Sequence, residues 1–274
     1  MSAIHFGMPC TPISSLSVFI ITRDEGDRIG ATLDAIKGLA SEIVVIDSGS
    51  TDETVSIAKA AGARVVLQPW LGYGPQKRFG EDQCRGPWLL NLDADEVVPP
   101  ALADEIRALF AKGEPPYPAY KVHIADQFPG RAAPGRFAHG PAPVRLYRKD
   151  AGRYRDSPVH DRVVLQPGVS VGRLRGRIHH RSMRSLTHQV EKFNFYTTMQ
   201  AKDLLARGAR PSSWRLVLEM PLAFVRYYFF RRYFLEGFYG FAIAMNAAFS
   251  RYLRLAKAIE LERTRDDDHR SQSQ

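Results

Sequence analysis

Trp88-Leu-Leu-Asn-Leu-Asp-Ala-Asp-Glu96 is a short apolar run that ends abruptly in three carboxylates, Asp93, Asp95 and Glu96. A continuous apolar run is what a strand buried on both faces of a sheet looks like, and in open α/β sheets ligands bind outside the carboxyl ends of the strands. Asp93 and Asp95 therefore stand where a ligand would. Two residues apart, they share a face if the strand geometry persists, and could then hold one hard divalent cation between them. The spacing alone is weak. With 17 aspartates in 274 residues, about one Asp-x-Asp pair arises by chance; Asp266 and Asp268 form another.

Working outward, the same pattern recurs. Leu16 to Thr22 reads as a buried strand, and Ile29, Leu33, Ile36 and Ala40 follow at helical spacing with Gly38 near the end. Glu42 to Asp47 is a second strand. Ser50-Thr51-Asp52-Glu53 has the spacing of a capping box opening a helix that closes at Gly62. Arg64 to Leu67 is a third strand, and a Gly/Pro-rich connection over Gly72 to Pro75 precedes a short helix at Gln76 to Cys84. After the fourth strand, Leu102, Ile106, Leu109 and Phe110 mark a helix stopping before Gly113. Strands alternating with helices predict an α/β fold, a mostly parallel sheet with helices on both faces.

Three strand ends are polar: Thr22, Arg23 and Glu25; Asp47, Ser48, Gly49 and Ser50; and Asp93 with Asp95. A parallel sheet collects them on one edge as one candidate site. Capping accounts for Ser50, Asp52 and Glu53; Asp47 either ends its strand or meets a ligand. Lys77 and Arg78 follow the Gly/Pro-rich loop, where they reach phosphate oxygens or form a solvated helix face.

Residues 16 to 112 resemble glycosyltransferase family 2, with its GT-A fold. The likeness rests on Ser-Val-Phe-Ile-Ile-Thr-Arg-Asp-Glu, Val-Val-Ile-Asp-Ser-Gly-Ser-Thr-Asp-Glu-Thr and Leu-Asp-Ala-Asp-Glu, in that order. The Asp-Ser-Gly-Ser-Thr-Asp turn, Gly-Tyr-Gly-Pro-Gln-Lys and a later Val-His-acid motif are similar to bacterial lipopolysaccharide core heptose β-1,4-glucosyltransferases. The resemblance implies a nucleotide-sugar donor such as UDP-glucose lying across the first three turns. Thr22, Arg23 and Glu25 take the nucleoside-contacting position, Asp47 that of the base-recognising acid, and Asp93 and Asp95 that of the metal pair. The chain departs from the family pattern at Ser48, where many members carry a second acid, and at Arg23-Asp24, where Tyr-Asn is usual. Mg²⁺ or Mn²⁺ is the expected cofactor, because a diphosphate leaving group needs its charge neutralised as the sugar bond breaks. Asp95 is the metal ligand in this reading, and Asp93 bridges to metal or ribose.

From residue 113 the composition shifts: Gly113 to Pro118 holds three prolines, and Phe128 to Pro143 is a loop-like segment rich in Pro, Gly, Ala and Arg. Val144 to Tyr147 looks like a returning strand. Between Arg145 and Arg184, 11 Lys/Arg surround three Asp, among them Asp161 in Ser157-Pro158-Val159-His160-Asp161. An inverting transfer requires one general base for the acceptor hydroxyl. Asp161 is the expected base, with an ordinary salt bridge as its other reading. His160 is an alternative base, orienting partner or metal ligand. His179 and His180 have either a structural role or one with phosphate or metal.

Residues 207 to 265 hold 13 of the 29 aromatics with 11 Lys/Arg and four Glu. Charges interrupt every apolar run before the ~18 residues a bilayer span needs. The segment is either a set of helices lying on an anionic membrane surface or a packed helical subdomain. Residues 1 to 112 carry net −5 and residues 113 to 274 net +14, so the second half suits an anionic partner. The expected division is a donor-binding half at 1–112, an acceptor-side half at 113–206, a membrane-associating helical region at 207–265 and a disordered tail at 266–274.

Cys10 and Cys84 make no disulfide framework, and no secretory signal pattern opens the sequence. The expected place is therefore the cytoplasm, peripheral on the inner face of its membrane. The expected activity is inverting transfer of a hexose to a lipid-linked saccharide such as a lipopolysaccharide inner core, or alternatively to polyprenyl phosphate. A nucleic-acid-binding protein using Arg and aromatics is the reading from another class. It leaves the acidic strand ends unexplained, and no nucleic acid is expected as partner.

Overall fold

A computed structural model describes residues 11–138, 140–158, 161–209 and 212–271. Two compact units organise the chain: Met1–Asp126 with Gly140–Ser182, and Gln127–His139 with Met183–Gln274.

The first unit begins with β1 (Ile13–Thr22), α1 (Ile29–Ile36), β2 (Ala40–Asp47), α2 (Thr54–Ala60), β3 (Arg64–Leu67), α3 (Tyr73–Gln83) and β4 (Trp88–Asp93). It continues with β5 (Glu96–Val97), α4 (Pro100–Phe110), β6 (Ala119–Asp126), β7 (Val144–Arg148), β8 (Gly152–Tyr154), β9 (Val163–Leu165) and β10 (Val171–His180). Eight strands form one sheet in the order β3-β2-β1-β4-β7-β6-β10-β5, and β8 pairs with β9 apart from it. β1 is parallel to β2 and β4, β2 to β3, and β6 to β10, while β7 and β5 run antiparallel to their neighbours. Six of the eight strands thus point one way, which brings Thr22, Asp47, Asp93, Asp126 and His180 to one edge.

The strands are apolar throughout because both faces are covered. Val18 and Ile20 pack with Ile29, Leu33 and Ile36 of α1 and Leu102 and Ile106 of α4. Phe19 and Ile21 turn to the other face with Val44, Ile46, Leu89 and Tyr147, against Phe79 of α3. α3 lies close here: a Cβ on Gly80 would come within 2.8 Å of the Phe19 ring.

Local readings fail in instructive places. Ser50 caps no helix; α2 starts at Thr54 after Glu53, which makes no side-chain cap bond. Ser50 and its neighbours instead lace the first two turns together. Ser50 Oγ accepts from Asp24 N at 2.9 Å, Thr51 N donates to Asp24 Oδ1 at 2.8 Å, Glu25 N to Thr54 Oγ1 at 2.8 Å and Gly26 N to Asp52 Oδ2 at 2.9 Å. The segment read as a connection, Gly72 to Pro75, already holds the first residues of α3. A proline is tolerated in a first helical turn, where N–H groups have no intrahelical partner. β10 was hidden by its arginines. Arg173 and Arg175 are exposed while Leu174 and Ile178 are buried, the period of two of a half-covered strand.

The second unit holds α5 (Leu186–Ala206), α6 (Ser213–Val225), a π-helical turn (Arg226–Phe230), a 3-10 turn (Tyr233–Glu236) and α7 (Gly237–Ser271). α7 runs through Ser271, into the tail expected to be disordered. Phe128, Tyr233, Ile243 and Ala244 form its core, with Phe224, Tyr227, Tyr228 and Tyr239 against them. Glu219 of α6 accepts from Arg251 Nε of α7 at 2.6 Å. Among the described residues no helix is long and apolar enough to cross a membrane.

Candidate active site

Register sets the site. Thr22 pairs with Asp47 across β1 and β2, Ile21 with Asp93 across β1 and β4, and His180 with both Asp126 and Glu96. Leu89, Asn91 and Asp93 alternate onto the face covered by α3, and the β4–β7 pairing of Leu90 with Leu146 sets Arg145 beside Asn91.

β4 ends at Asp93, Ala94 and Asp95 form a turn, and Glu96 opens β5. The strand geometry that would keep Asp93 and Asp95 on one face therefore stops between them, and the two carboxylates acquire different partners. Asp93 Oδ1 lies 2.9 Å from Lys77 Nζ and Oδ2 lies 3.1 Å from an Arg145 guanidinium nitrogen. Burial works to raise Asp93, but Lys77 and Arg145 outweigh it and hold its carboxyl well below the usual range. Asp95 Oδ2 meets Arg28 at 3.2 Å and His180 Nε2 at 3.6 Å. There too burial is overcome, by His180 and Arg28, and the carboxyl is lowered.

Lys77 is only 2% exposed, which a lysine on a solvated helix face would not be. Its ammonium bridges Asp93 to Asp161, whose Oδ2 is 2.6 Å away, and lies 5.3 Å from the Tyr154 ring centroid. Burial depresses it, yet the neighbouring carboxylates raise it above the ordinary lysine value. The approach of Asp161 has a backbone cause. Tyr73 N and Gly74 N donate to the carbonyls of Pro158 and Ser157, each at 3.1 Å. The start of α3 is thereby pinned to the segment leading to Asp161, and a Cβ on Gly74 would strike the Arg155 and Ser157 carbonyls.

Beneath Asp93 is a buried polar network absent from the sequence reading. Arg145, 5% exposed, donates to Glu96 Oε1 at 2.6 Å and to Asn91 Oδ1, and Tyr154 OH donates to the same Asn91 oxygen at 2.6 Å. Glu96 Oε2 accepts from Asp93 N at 3.0 Å. Burial, with Asp93 nearby, pushes Glu96 up to about 6 despite Arg145. On the other side His180 Nδ1 is 3.0 Å from Asp126 Oδ1. Burial disfavours its charge, but Asp126 and Asp95 raise it to about 10. Asp126 follows the strand-end rule that singled out Asp93, and recognising β6 would have found it.

The first two turns are already engaged. Glu25 Oε2 accepts from Arg28 Nε at 2.8 Å. Asp47 accepts from Gly49 N at 2.9 Å, Ser50 N at 3.0 Å and Ser50 Oγ at 2.5 Å, so much of its acceptor capacity braces its own turn. Thr22 Oγ1 is buried with no partner among the described residues. Arg23 is exposed. His160 lies outside the described residues.

One cluster thus gathers Lys77, Asp93, Asp95, Asp161 and His180 at the edge that also carries Thr22 and Asp47. Among the described residues no group of three or more His, Cys, Asp or Glu is arranged to hold a metal; Asp95 and His180 make a pair.

The family model described as Glycosyl transferase family 2 matches residues 17–164. An uncharacterized glycosyltransferase of Rickettsia prowazekii (strain Madrid E) is 40% identical over 91% of this chain and 88% of its own. The lipopolysaccharide core biosynthesis glycosyltransferase LpsC of Rhizobium meliloti (strain 1021) is 32% identical over 91% of this chain and 93% of its own. The crystal structure of S. aureus TarS 1–349 aligns with a TM-score of 0.46 at 15% identity, over 95% of this chain and 92% of that one. With the family model spanning more than half of the chain and relatives matching nine tenths of it, the protein belongs to glycosyltransferase family 2 and is an enzyme of that class.

Proposed function

We propose that the enzyme transfers a hexosyl group, glucose from UDP-glucose, to a lipid-linked saccharide acceptor of the lipopolysaccharide inner-core type by single displacement with inversion. The observation that carries this reading is the Asp93–Lys77–Asp161 bridge at 2.9 and 2.6 Å. It puts a carboxylate from beyond residue 150 beside the donor edge of the sheet. Asp161 takes the acceptor hydroxyl proton, the hydroxyl oxygen attacks the anomeric carbon, and the bond from that carbon to the nucleoside diphosphate breaks. The donor lies over Thr22, Arg23, Glu25 and Asp47. The likeness to LpsC supports the acceptor class.

The residues present fit a divalent cation. Asp95 and His180 offer an oxygen and a nitrogen 3.6 Å apart, and Asp126 behind His180 supplies the carboxylate that orients a metal-binding imidazole. Mg²⁺ or Mn²⁺, held there, would supply a Lewis acid for the departing diphosphate. His180 must first lose its proton, which Asp126 and Asp95 hold.

The catalytic work is placed at the cytoplasmic face of an anionic membrane, where the basic second half meets acceptor phosphates. A thermal-shift screen of nucleoside diphosphates and their sugars with Mn²⁺ tests donor and metal together. The reading expects metal-dependent stabilisation by UDP and UDP-glucose, lost in Asp95→Asn. It expects Asp161→Ala to keep UDP binding while transfer collapses; normal transfer in that variant would refute the base.

A further inference from the structure

α6 is apolar on both sides, which a helix packed against one neighbour does not need. Its inner side carries Ala223 and Phe224, together with Glu219, whose charge is taken up by Arg251 of α7 at 2.6 Å. Its outer side carries Trp214, Val217, Leu218, Leu222, Val225 and, in the π-helical turn, Phe229, each three or four residues from another of the set and all exposed. Trp214 is 68% and Phe230 80% exposed. Single exposed apolar residues are ordinary; a contiguous stripe marks an interaction surface.

Arg226 and Arg232 are exposed beside this stripe, and Arg231 lies with its guanidinium 4.7 Å from the Tyr227 ring centroid. α6 has 13 residues and the π-helical turn five, about 27 Å at the α-helical rise if the turn is counted in full, short of a bilayer span and interrupted by arginine. A second copy of the chain is a poor occupant, because over residues 212–232 it offers these arginines no acid but Glu219, already held by Arg251. A surface that is apolar below and anionic above matches both features.

We infer that the outer stripe of α6 and the π-helical turn inserts into the interface of an anionic lipid bilayer, with Trp214, Leu222, Phe229 and Phe230 among the acyl chains and the flanking arginines at the headgroups. The inference deepens the membrane placement proposed above by naming the face that docks, and its test does not use catalysis. The full chain is floated with vesicles of phosphatidylglycerol or of phosphatidylcholine, and tryptophan emission is followed. Binding to phosphatidylglycerol alone is expected, with an emission blue shift that disappears in Trp214→Phe. Phe230→Ser and Leu222→Ser are each expected to weaken vesicle partitioning about tenfold or more, and Arg226→Gln about fivefold. These side chains are exposed, so their melting curves and UDP binding stay as in the parent, which separates failure here from failure of the enzyme reading. Absence of binding, equal binding to both lipids, or binding unchanged in Phe230→Ser and Leu222→Ser overturns the inference. So does a dimer in light scattering that Phe230→Ser abolishes, which would give the face to a second copy.

Discussion

Replacing Arg145 by methionine removes the cation that Asp93 and the buried Glu96 and Asn91 share. The guanidinium reaches Asp93 at 3.1 Å, Glu96 at 2.6 Å and Asn91, and Glu96 is 1% exposed. Methionine fills much of the same space, so the loss is mainly electrostatic. Breaking a buried pair from one side costs about 3–5 kcal/mol, because the abandoned charge keeps its desolvation penalty. Glu96 gives the effect a pH signature. Its pKa is raised to about 6 from 4.5, so its protonated form favours the fold below the unfolded value, and that contribution is lost as pH rises through about 6. Without Arg145 the folded value climbs further. Urea unfolding should therefore show Arg145→Met costing about 4 kcal/mol at pH 7.5 and clearly less at pH 5. Adding Glu96→Gln should restore roughly half the loss at pH 7.5 by removing the stranded charge. A loss below about 1 kcal/mol, or no rescue by the second substitution, would show that the network does not hold Asp93 as described.

His180, raised to about 10, contributes stability that is complete below its unfolded value near 6.5 and is lost as pH rises through 10; discounted for partial exposure, about 2 kcal/mol should vanish over that window in metal-free protein and not in His180→Gln. Under the proposed metal placement Mn²⁺ would compete with the same proton, so its affinity, measured by calorimetry, should rise with pH and fall about 10–100-fold in Asp126→Asn. Gly80→Ala should lower stability by about 1–3 kcal/mol in denaturant unfolding, since the new methyl meets Phe19 at 2.8 Å.

The sequence by itself determined the alternating core of the first unit. Apolar runs such as Ser17–Ile21 and Ile43–Ile46 bury on both faces, and a sheet of parallel strands gathers their polar ends whatever the details of packing. It also singled out Asp93, Asp95 and Asp161, because carboxylates at strand ends and beside a histidine are visible in one dimension. Charge counting left Lys77 open to a solvated reading: a lysine on a polar helix looks exposed until a neighbouring segment decides which side is covered. Only the tertiary structure decided that Lys77 is buried between Asp93 and Asp161, that Arg145 lies under Asp93, and that His180 joins Asp126 to Asp95. Apart from Lys77 and Asp93, 16 positions apart, those contacts join residues 52 to 85 positions apart. They depend on strand order and register, which insert β7 between β4 and β6, and no local pattern of residues carries that information.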